Sequence, residues 1–340
     1  MQLSPRQLQI LQAVVKSYIE SGVPVGSRTI AKQFNLGVSP ATVRNEMSDL
    51  EEMGFLEQPH ISAGRIPSDT GYRLYVDTLN PKLKPDIRSI SRIENEIDER
   101  ILEKEQLVLS IAEALAELTS YATIVSGPYI NACLLREFAL VPISEKKVVA
   151  IAVTDNGLST SKVLRLPKAM SAENIGYINR VLNDKLKGKC LRDIKNSDTE
   201  YLMWSINEHI NSEDLALKAF INQVFDMHIT PIVADGIINV LNQPEFRIDN
   251  KYLQLFEALN AQDILAELLA TQTTKNIDIS IGKEINNEIM QECSIVKIPY
   301  TINSHIAGVI GVLGPRRMTY ARVISLLEYV SSRIEEILQD

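Results

Sequence analysis

The chain has 340 residues, of which 45% are hydrophobic and 23% are charged, and this composition is that of an ordinary globular protein with two or three domains. It excludes a wholly disordered chain, a collagen-like repeat and a membrane protein, since no apolar run approaches the roughly 18 residues that span a bilayer. The formal net charge of −8 has the opposite sign to that expected of a nucleic-acid-binding protein. The first 77 residues are nearly neutral, with seven Lys or Arg and eight Asp or Glu side chains, so a nucleic-acid interface would depend on where those charges lie.

The cysteines and histidines indicate neither a disulfide framework nor a metal site. Cys133, Cys190 and Cys293 lie far apart, and the four histidines form no HxH or HxxxH pair. The first ten residues, MQLSPRQLQI, have no charged segment followed by an apolar one, as a secretion signal would. We therefore expect a cytoplasmic protein without a metal or other cofactor.

Two N-terminal helices are predicted from a shared start signal. Ser4-Pro5 and Ser39-Pro40 each combine a capping serine with a proline that suits the first helical position. Gln7 can complete a capping box with Ser4. The first helix is expected to end at Gly22 and the other at about Met53.

Shorter elements complete the N-terminal pattern. Ser27 is expected to cap a short helix that comes between the first two. Phe55-Leu56 and Arg65-Ile66 are predicted as two short strands on either side of a polar loop, and Ser68 or Asp69 starts a further helix. Helix, helix–turn–helix and two-stranded loop is the order of a winged helix.

The helix after Ser39-Pro40 has a face suited to reading bases. At 100° per residue, Val43, Met47 and Leu50 form the buried stripe. Amide, guanidinium and methyl groups can recognise adenine, guanine and thymine respectively. The acids Asp49, Glu51 and Glu52 follow only after the first two turns, so they would not repel the DNA where the helix enters the groove. A solvated polar face is the alternative interpretation. The candidate residues on the opposite side and its flanks are Ala41, Thr42, Arg44, Asn45 and Ser48.

Further candidates lie in the polar loop and at helix starts. His60, Ser62 and Arg65 belong to an acid-free hairpin that suits contact with phosphates or a minor groove. Ser27 and Arg28 could bind a phosphate at the start of their helix. The alternatives are an ordinary surface arginine and a satisfied loop histidine. The capping residue Ser39 completes the set of DNA-binding candidates.

The rest of the chain predicts an α+β domain that carries an insertion. Two prolines mark a linker at 80–90, and a helical pattern follows from Ile90 to Leu118, with Arg100 and Lys104 breaking its apolar seam. We expect this pattern to be a helix packed between domains. A mostly helical block is predicted at 171–272 and a closing helix at 320–338. Strands are predicted at 136–143, 148–154, 158–166, 277–281, 294–301 and 305–313.

Two other features have competing interpretations. Arg316-Arg317 could bind an anion, but a pair that stabilises the fold or lies on the surface is the favoured interpretation. Trp204, in the helical block, is interpreted as an anchor of a core or of an interface.

Three stretches, PVGSRTIAK, SPATVRNEM and QPHISAGRIPSDTGYR, are long and specific. With the residues around them, they make 22–79 closely resemble the N-terminal domain of the HrcA family of bacterial heat-inducible transcription repressors. Further similarities at Gly282, 294–296, Tyr300 and 308–320 extend the resemblance over the chain. Ile61 stands where the family often has Thr, which removes one possible hydroxyl contact in the wing.

The resemblance implies a homodimeric repressor that binds an inverted-repeat operator upstream of chaperone genes and is modulated by the chaperonin GroEL. It implies a winged helix at 1–79, a linker at 80–90, a GAF-like α+β domain in two parts, 91–157 and 275–340, and a largely helical inserted dimerisation domain at 158–274. One alternative is a winged-helix regulator controlled by a small ligand in the GAF-like domain. Another is an enzyme with a DNA-binding appendage, but the sequence has no recognisable nucleophile, acid–base pair, metal site or phosphate loop.

Overall fold

A computed structural model shows how these segments fold. It describes residues 3–60, 63–79, 84–100, 104–127, 134–155, 159–166, 169–189, 196–210, 232–246, 251–270, 276–302 and 305–339.

The N-terminal elements follow the predicted order of a winged helix. Both helix-start predictions are confirmed, because Ser4 and Ser39 are the N-caps of their helices and Gln7 completes a capping box with Ser4. Gly22 ends the first helix with a positive φ of 67°. The elements are α1 (Pro5–Ser21), α2 (Ser27–Gln33), α3 (Pro40–Glu52), β1 (Leu56–Glu57), β2 (Ile66–Pro67) and α4 (Asp69–Asp77).

Three local predictions differ from the structure. Gly26, not Ser27, occupies the N-cap position of α2, and no side chain caps that helix. Both short strands begin one residue later than expected. The amide of Phe55 is bonded to the carbonyl of Leu50 at the end of α3, and Arg65 pairs through its backbone with Val25 instead of with β1.

The helical pattern after the linker forms two helices, α5 (Ile87–Arg100) and α6 (Lys104–Thr119). Arg92 Nη2 of α5 lies 3.0 Å from Glu117 Oε2 of α6. In one continuous helix these residues would be roughly 37 Å apart along the axis, so the expectation of a single long helix is wrong. The charged residues Arg100 and Lys104, which break the apolar seam, lie where one helix ends and the next begins.

A five-stranded antiparallel sheet forms the centre of the C-terminal domain, in the order β7-β3-β10-β9-β8. Strands β8, β9 and β10 lie where the sequence predicts them. Strands β3 and β7 were not expected, since β3 is buried throughout without alternation and β7 has only three residues. The strands are β3 (Ala122–Ser126), β7 (Val233–Asp235), β8 (Asp278–Ile281), β9 (Cys293–Ile302) and β10 (His305–Pro315).

Helices pack against both faces of this sheet. Buried Val296 and Val312 contribute to the same apolar core as Leu327 of the closing helix, whereas Ile295 and Leu313 belong to a second core on the other face. The second core includes α9 (Ile237–Leu241), α10 (Lys251–Asn260) and α11 (Gln262–Leu269), and the closing helix is α12 (Tyr320–Gln339).

A separate three-stranded antiparallel sheet lies in sequence between β3 and β7. It consists of β4 (Leu135–Ser144), β5 (Lys147–Thr154) and β6 (Ser159–Arg165), in that order. Helix α7 (Ala172–Leu186) packs on it, and α8 (Asn196–Ile210) packs on α7. The side-chain amides of Asn179 and Asn183 bond the backbone of β4 at Leu140 and Phe138, so they cover that edge of the sheet.

The expected boundaries of the inserted domain do not follow these sheets. The boundary between residues 157 and 158 separates β5 from β6. These two strands nevertheless pair with each other along their length, from Lys147 opposite Arg165 to Val153 opposite Ser159. Helices α9 to α11, expected within the insertion, pack on the five-stranded sheet. The three-stranded sheet, α7 and α8, here called the inserted unit, lie in sequence between β3 and β7 of the five-stranded sheet.

Charged side chains hold the winged helix against the C-terminal domain. Arg316, just after β10, donates from Nη1 to Asp69 Oδ1 at 3.0 Å and from Nη2 to Glu292 Oε2 at 2.7 Å. Arg317 is bonded to Glu245 within the C-terminal domain itself. The favoured interpretation of the arginine pair as a stabilising feature is therefore confirmed. The buried rings of Tyr72 and Tyr320, 6.1 Å apart, add an apolar contact across the same boundary.

Candidate nucleic-acid interface

Helix α3 is oriented by its buried stripe. Val43, Met47 and Leu50 are at most 4% exposed and belong to the same core as Leu11 and Val14 of α1. The predicted apolar stripe is therefore confirmed. Packing of this stripe against α1 directs the opposite side of α3 outward.

The outward side of α3 carries Ala41, Arg44 and Asn45 as exposed residues, with Thr42 and Ser48 partly buried at its flanks. Positions 41, 44, 45 and 48 follow one another at intervals of three or four residues along the helix, so these side chains share one face. Within the described part of the chain, neither Arg44 nor Asn45 has an ion pair or a side-chain hydrogen bond. Their donors and acceptors are available to a ligand.

The hydroxyl groups at the start of α3 have a structural role. Ser39 Oγ accepts a hydrogen bond from Thr42 N at 3.2 Å and lies 3.0 Å from Thr42 Oγ1. These contacts cap the helix, and its first turn contains no acid. The positive end of the helix dipole at Pro40 is therefore not neutralised by a local carboxylate.

Glu46 is a further acid on α3, and the helical pattern of the sequence assigns it neither to the buried stripe nor to the outward face. Its side chain is 17% exposed, and its Oε1 lies 3.6 Å from Nη1 of Arg6 on α1. This partner directs the carboxylate toward α1 and compensates its charge. The N-terminal half of the outward face, which Ala41, Arg44 and Asn45 form, thus has no acid on it, whereas the exposed Asp49 and Glu52 follow in its last turns.

Arg65 lies at the base of the wing, where its contacts differ from those of a free hairpin arginine. Its Nη2 is 2.6 Å from Glu51 Oε2, and its backbone amide and carbonyl both bond Val25. Gly64 is required beside it, because a Cβ there would be 2.4 Å from the Val25 carbonyl oxygen. The ion pair joins the wing to the end of α3, a contact that no local sequence signal indicates.

The remaining candidates lie in the wing and at the start of α2. His60 is exposed, and its carbonyl accepts a bond from Ala63 N at 2.8 Å, which closes the loop. Ser62 and Ile61 lie outside the described residues. Ser27 is partly buried and Arg28 is exposed at the start of α2, which packs on α3.

Two family models match the chain. The model of a winged helix-turn-helix transcription repressor, HrcA DNA-binding, matches residues 2–77, and the model of the HrcA protein C terminal domain matches residues 105–324. None of the helices within the described ranges is long and apolar enough to cross a membrane.

Curated relatives match along the full length. The heat-inducible transcription repressor HrcA of Moorella thermoacetica is 38% identical over 100% of this chain and 99% of its own. The protein of the same name from Caldanaerobacter subterraneus is 37% identical over 99% and 98% of the two chains. A crystal structure of a hypothetical protein matches with a TM-score of 0.61 over 99% of both chains. At 23% identity, that structure shows a shared fold.

Proposed function

The chain belongs to the HrcA family of heat-inducible transcription repressors, and from this premise we propose that it binds an inverted-repeat operator as a homodimer, with α3 reading the bases. The single observation that carries this proposal is the outward face of α3. Arg44 and Asn45 are exposed there without partners among the described residues, and the first turn has no acid.

Helix α3 would enter the major groove with its N-terminal half. In that position Asn45 can bond adenine through its amide, Arg44 can bond guanine, and Ala41 can contact a thymine methyl group. Ser48 and Thr42 flank these residues and can add hydroxyl contacts. Because Pro40 has no N–H and the amides of Thr42 and Val43 already bond Ser39, we infer that the Ala41 amide is the one in the first turn of α3 that can donate to a phosphate.

The other candidates would position the domain on the DNA backbone. We infer that Arg28 and Ser27 contact phosphate at the start of α2 and that His60 does so in the wing; exposure of Arg28 and His60 supports this. Arg65 would act in two ways, since its Nη2 holds the wing against Glu51 and its Nη1 can still donate to the duplex, whereas its Nε is buried. Because the domain is nearly neutral, we infer few phosphate contacts and weak binding to random DNA.

Two copies of the winged helix would compensate for this weak contact. Binding of two half-sites by one dimer raises the overall affinity without any new contact in each half. The half-sites are expected one helical turn, or a multiple of it, apart, so that both recognition helices meet one face of the duplex.

Exposed apolar groups of the inserted unit support dimerisation there. Tyr201 and Trp204 on α8 are 49% and 62% exposed, with ring centroids 6.2 Å apart. Val163 on β6 is 59% exposed. Aromatic side chains are typical anchors of protein interfaces, so the interpretation of Trp204 as an interface residue is the one its exposure favours.

We also propose, from family membership alone, that GroEL modulates the repressor in the cytoplasm and that its targets are chaperone genes. The GAF-like assignment of the C-terminal domain remains a proposal of the same kind.

The test starts by selecting, from a random duplex library, the DNA that the full-length protein binds. We expect an inverted repeat, bound with a stoichiometry of two chains per duplex by analytical ultracentrifugation. Addition of purified GroEL should increase the fraction of operator-competent protein. A monomer that selects a single half-site would contradict the dimer proposal, and an unchanged competent fraction would contradict the GroEL proposal.

A further inference from the structure

A cavity of about 340 Å³ lies where the winged helix meets the C-terminal domain. It lies between α4, the beginning of β8 and the first turns of α12. Val76, Ile279 and Ile324 supply one apolar surface from each of these elements. Cavities of a few hundred Å³ at domain boundaries are typical of small-molecule sites.

The charges that line this cavity are unbalanced. They consist of three carboxylates, on Asp77, Asp278 and Glu328, and one guanidinium, on Arg73. The guanidinium is already occupied, because Arg73 bonds Glu284 and donates to the Ile279 carbonyl oxygen at 2.5 Å.

Glu328 differs from the other two carboxylates. Asp278 lies 3.4 Å from Lys297 Nζ, and Asp77 lies 3.7 Å from Arg73 Nη1. Glu328 is partly buried on α12 and makes no hydrogen bond or ion pair within the described part of the chain. Burial without a nearby cation raises the pKa of this carboxyl group.

We propose that this cavity binds a small organic cation with an apolar body, such as an alkylammonium ion, and that its occupancy changes affinity for the operator. The ammonium group would pair with Glu328, and the apolar body would lie against Val76, Ile279 and Ile324. A carboxylate that lacks a cation and lies beside apolar side chains from three elements is complementary to such a ligand in both charge and polarity. Among the described residues no group of carboxylates is arranged to hold a metal ion, which favours an organic cation.

The effect on DNA binding follows from the position of the cavity and depends on the proposed function. A ligand there contacts α4 of the winged helix and α12 of the C-terminal domain together. If its affinity differs between two arrangements of these domains, binding must shift their populations and hence operator affinity by thermodynamic linkage.

The experiment uses the full-length protein and four probes measured by isothermal titration calorimetry. The probes are hexylammonium, hexanol, hexanoate and methylammonium, which separate the cation from the apolar body. The Glu328→Gln variant removes the negative charge, and the Ala321→Leu variant fills part of the cavity with a larger side chain. Glu113→Gln, an exposed carboxylate on α6, is the matched control, and circular dichroism spectra check that each variant is folded.

Hexylammonium should bind the wild type and the Glu113→Gln variant about tenfold more tightly than it binds Glu328→Gln, and Ala321→Leu should also weaken it. Hexanol, hexanoate and methylammonium should each bind more weakly than hexylammonium. Equal binding to wild type and Glu328→Gln, or no binding of hexylammonium, would overturn the site. If hexylammonium binds the site but leaves operator affinity unchanged, the coupling is wrong. Because calorimetry needs no DNA, failure of operator binding by the free protein would be seen separately.

Discussion

Arg316 and Asp69 lie 247 positions apart in sequence, yet Arg316 Nη1 donates to Asp69 Oδ1 at 3.0 Å. The same carboxylate accepts a bond from the backbone amide of Lys283 at 3.2 Å through its other oxygen. Asp69 is the first residue of α4. One carboxylate thereby fixes the N-terminus of a winged-helix element to two separate parts of the C-terminal domain.

Asp69→Asn should loosen this contact. Replacing the charged acceptor leaves Arg316 with Glu292 alone, and we expect a cost of about 1–2 kcal/mol in the free energy of unfolding. Denaturation followed by circular dichroism would measure it. The control is Asp77→Asn, since the Asp77 side chain is 58% exposed and its pair with Arg73 is long, and it should cost less than about 0.5 kcal/mol. If the two substitutions lowered the free energy of unfolding equally, the contacts of Asp69 across the domain boundary would contribute no more than an exposed surface ion pair.

Gly282→Ala tests the same boundary sterically. Gly282 has a φ of +55°, and a Cβ there would lie 2.4 Å from Asp69 Oδ2. We expect a loss of about 1–3 kcal/mol, because both the backbone conformation and the contact are strained. Gly176→Ala in α7 is the control, since nothing lies within 4 Å of its Cβ position, and it should stabilise by about 0.5–1 kcal/mol. If Gly282→Ala left the free energy of unfolding unchanged, the two domains would not approach so closely in solution.

Glu51→Gln should release Arg65 toward DNA. Loss of the 2.6 Å ion pair removes an acid near the duplex and frees a cation. We expect tighter binding to operator and scrambled DNA alike, with a slope of log affinity against log salt steeper by about one. Fluorescence anisotropy titrations at several salt concentrations would measure the slope. Glu52→Gln changes the same formal charge at an exposed neighbour, and an identical slope in the two variants would count against release of Arg65.

Glu328→Gln should change how stability depends on pH. Since burial raises the pKa of Glu328, its ionisation opposes folding. This cost is absent below the ordinary pKa of glutamate, about 4.3, and is complete above the raised value. The other charged side chains that line the cavity are those of Arg73, Asp77 and Asp278.

The unfolding temperature of Glu328→Gln at pH 8 should therefore exceed that of the wild type by about 1–2 °C, and the difference should disappear near pH 4. Differential scanning fluorimetry across this range, with Glu113→Gln as the control, checks the sign. A variant that is less stable than the wild type at pH 8 would show that Glu328 has a favourable partner.

Local signals were enough to predict most of the winged helix. Ser4-Pro5 and Ser39-Pro40 mark two helix starts because a cap and a proline act within one turn, and the stripe of Val43, Met47 and Leu50 follows from helical period alone. The exposed positions of Arg44 and Asn45 follow from the same period.

Contacts between distant segments could not be predicted in this way. The pair of Arg65 with Glu51 depends on how the wing folds back on α3, and that of Arg316 with Asp69 depends on the docking of two domains. Strand β3 escaped prediction because all five of its residues are buried, so it has no alternation to distinguish it from the end of a helix. Arg100 and Lys104 were visible as charged residues in an apolar seam, but only the contact of Arg92 with Glu117 shows that α5 and α6 lie side by side.

The most direct test of sequence reading by α3 is a titration of wild type, Asn45→Ala and Arg28→Ala against the selected operator and a scrambled duplex at several salt concentrations. Asn45→Ala should cost about 1–3 kcal/mol on the operator and much less on scrambled DNA. Arg28→Ala should weaken both duplexes evenly and flatten the salt slope by about one. Equal losses on both duplexes for Asn45→Ala would contradict the assignment of α3 as the helix that reads the bases.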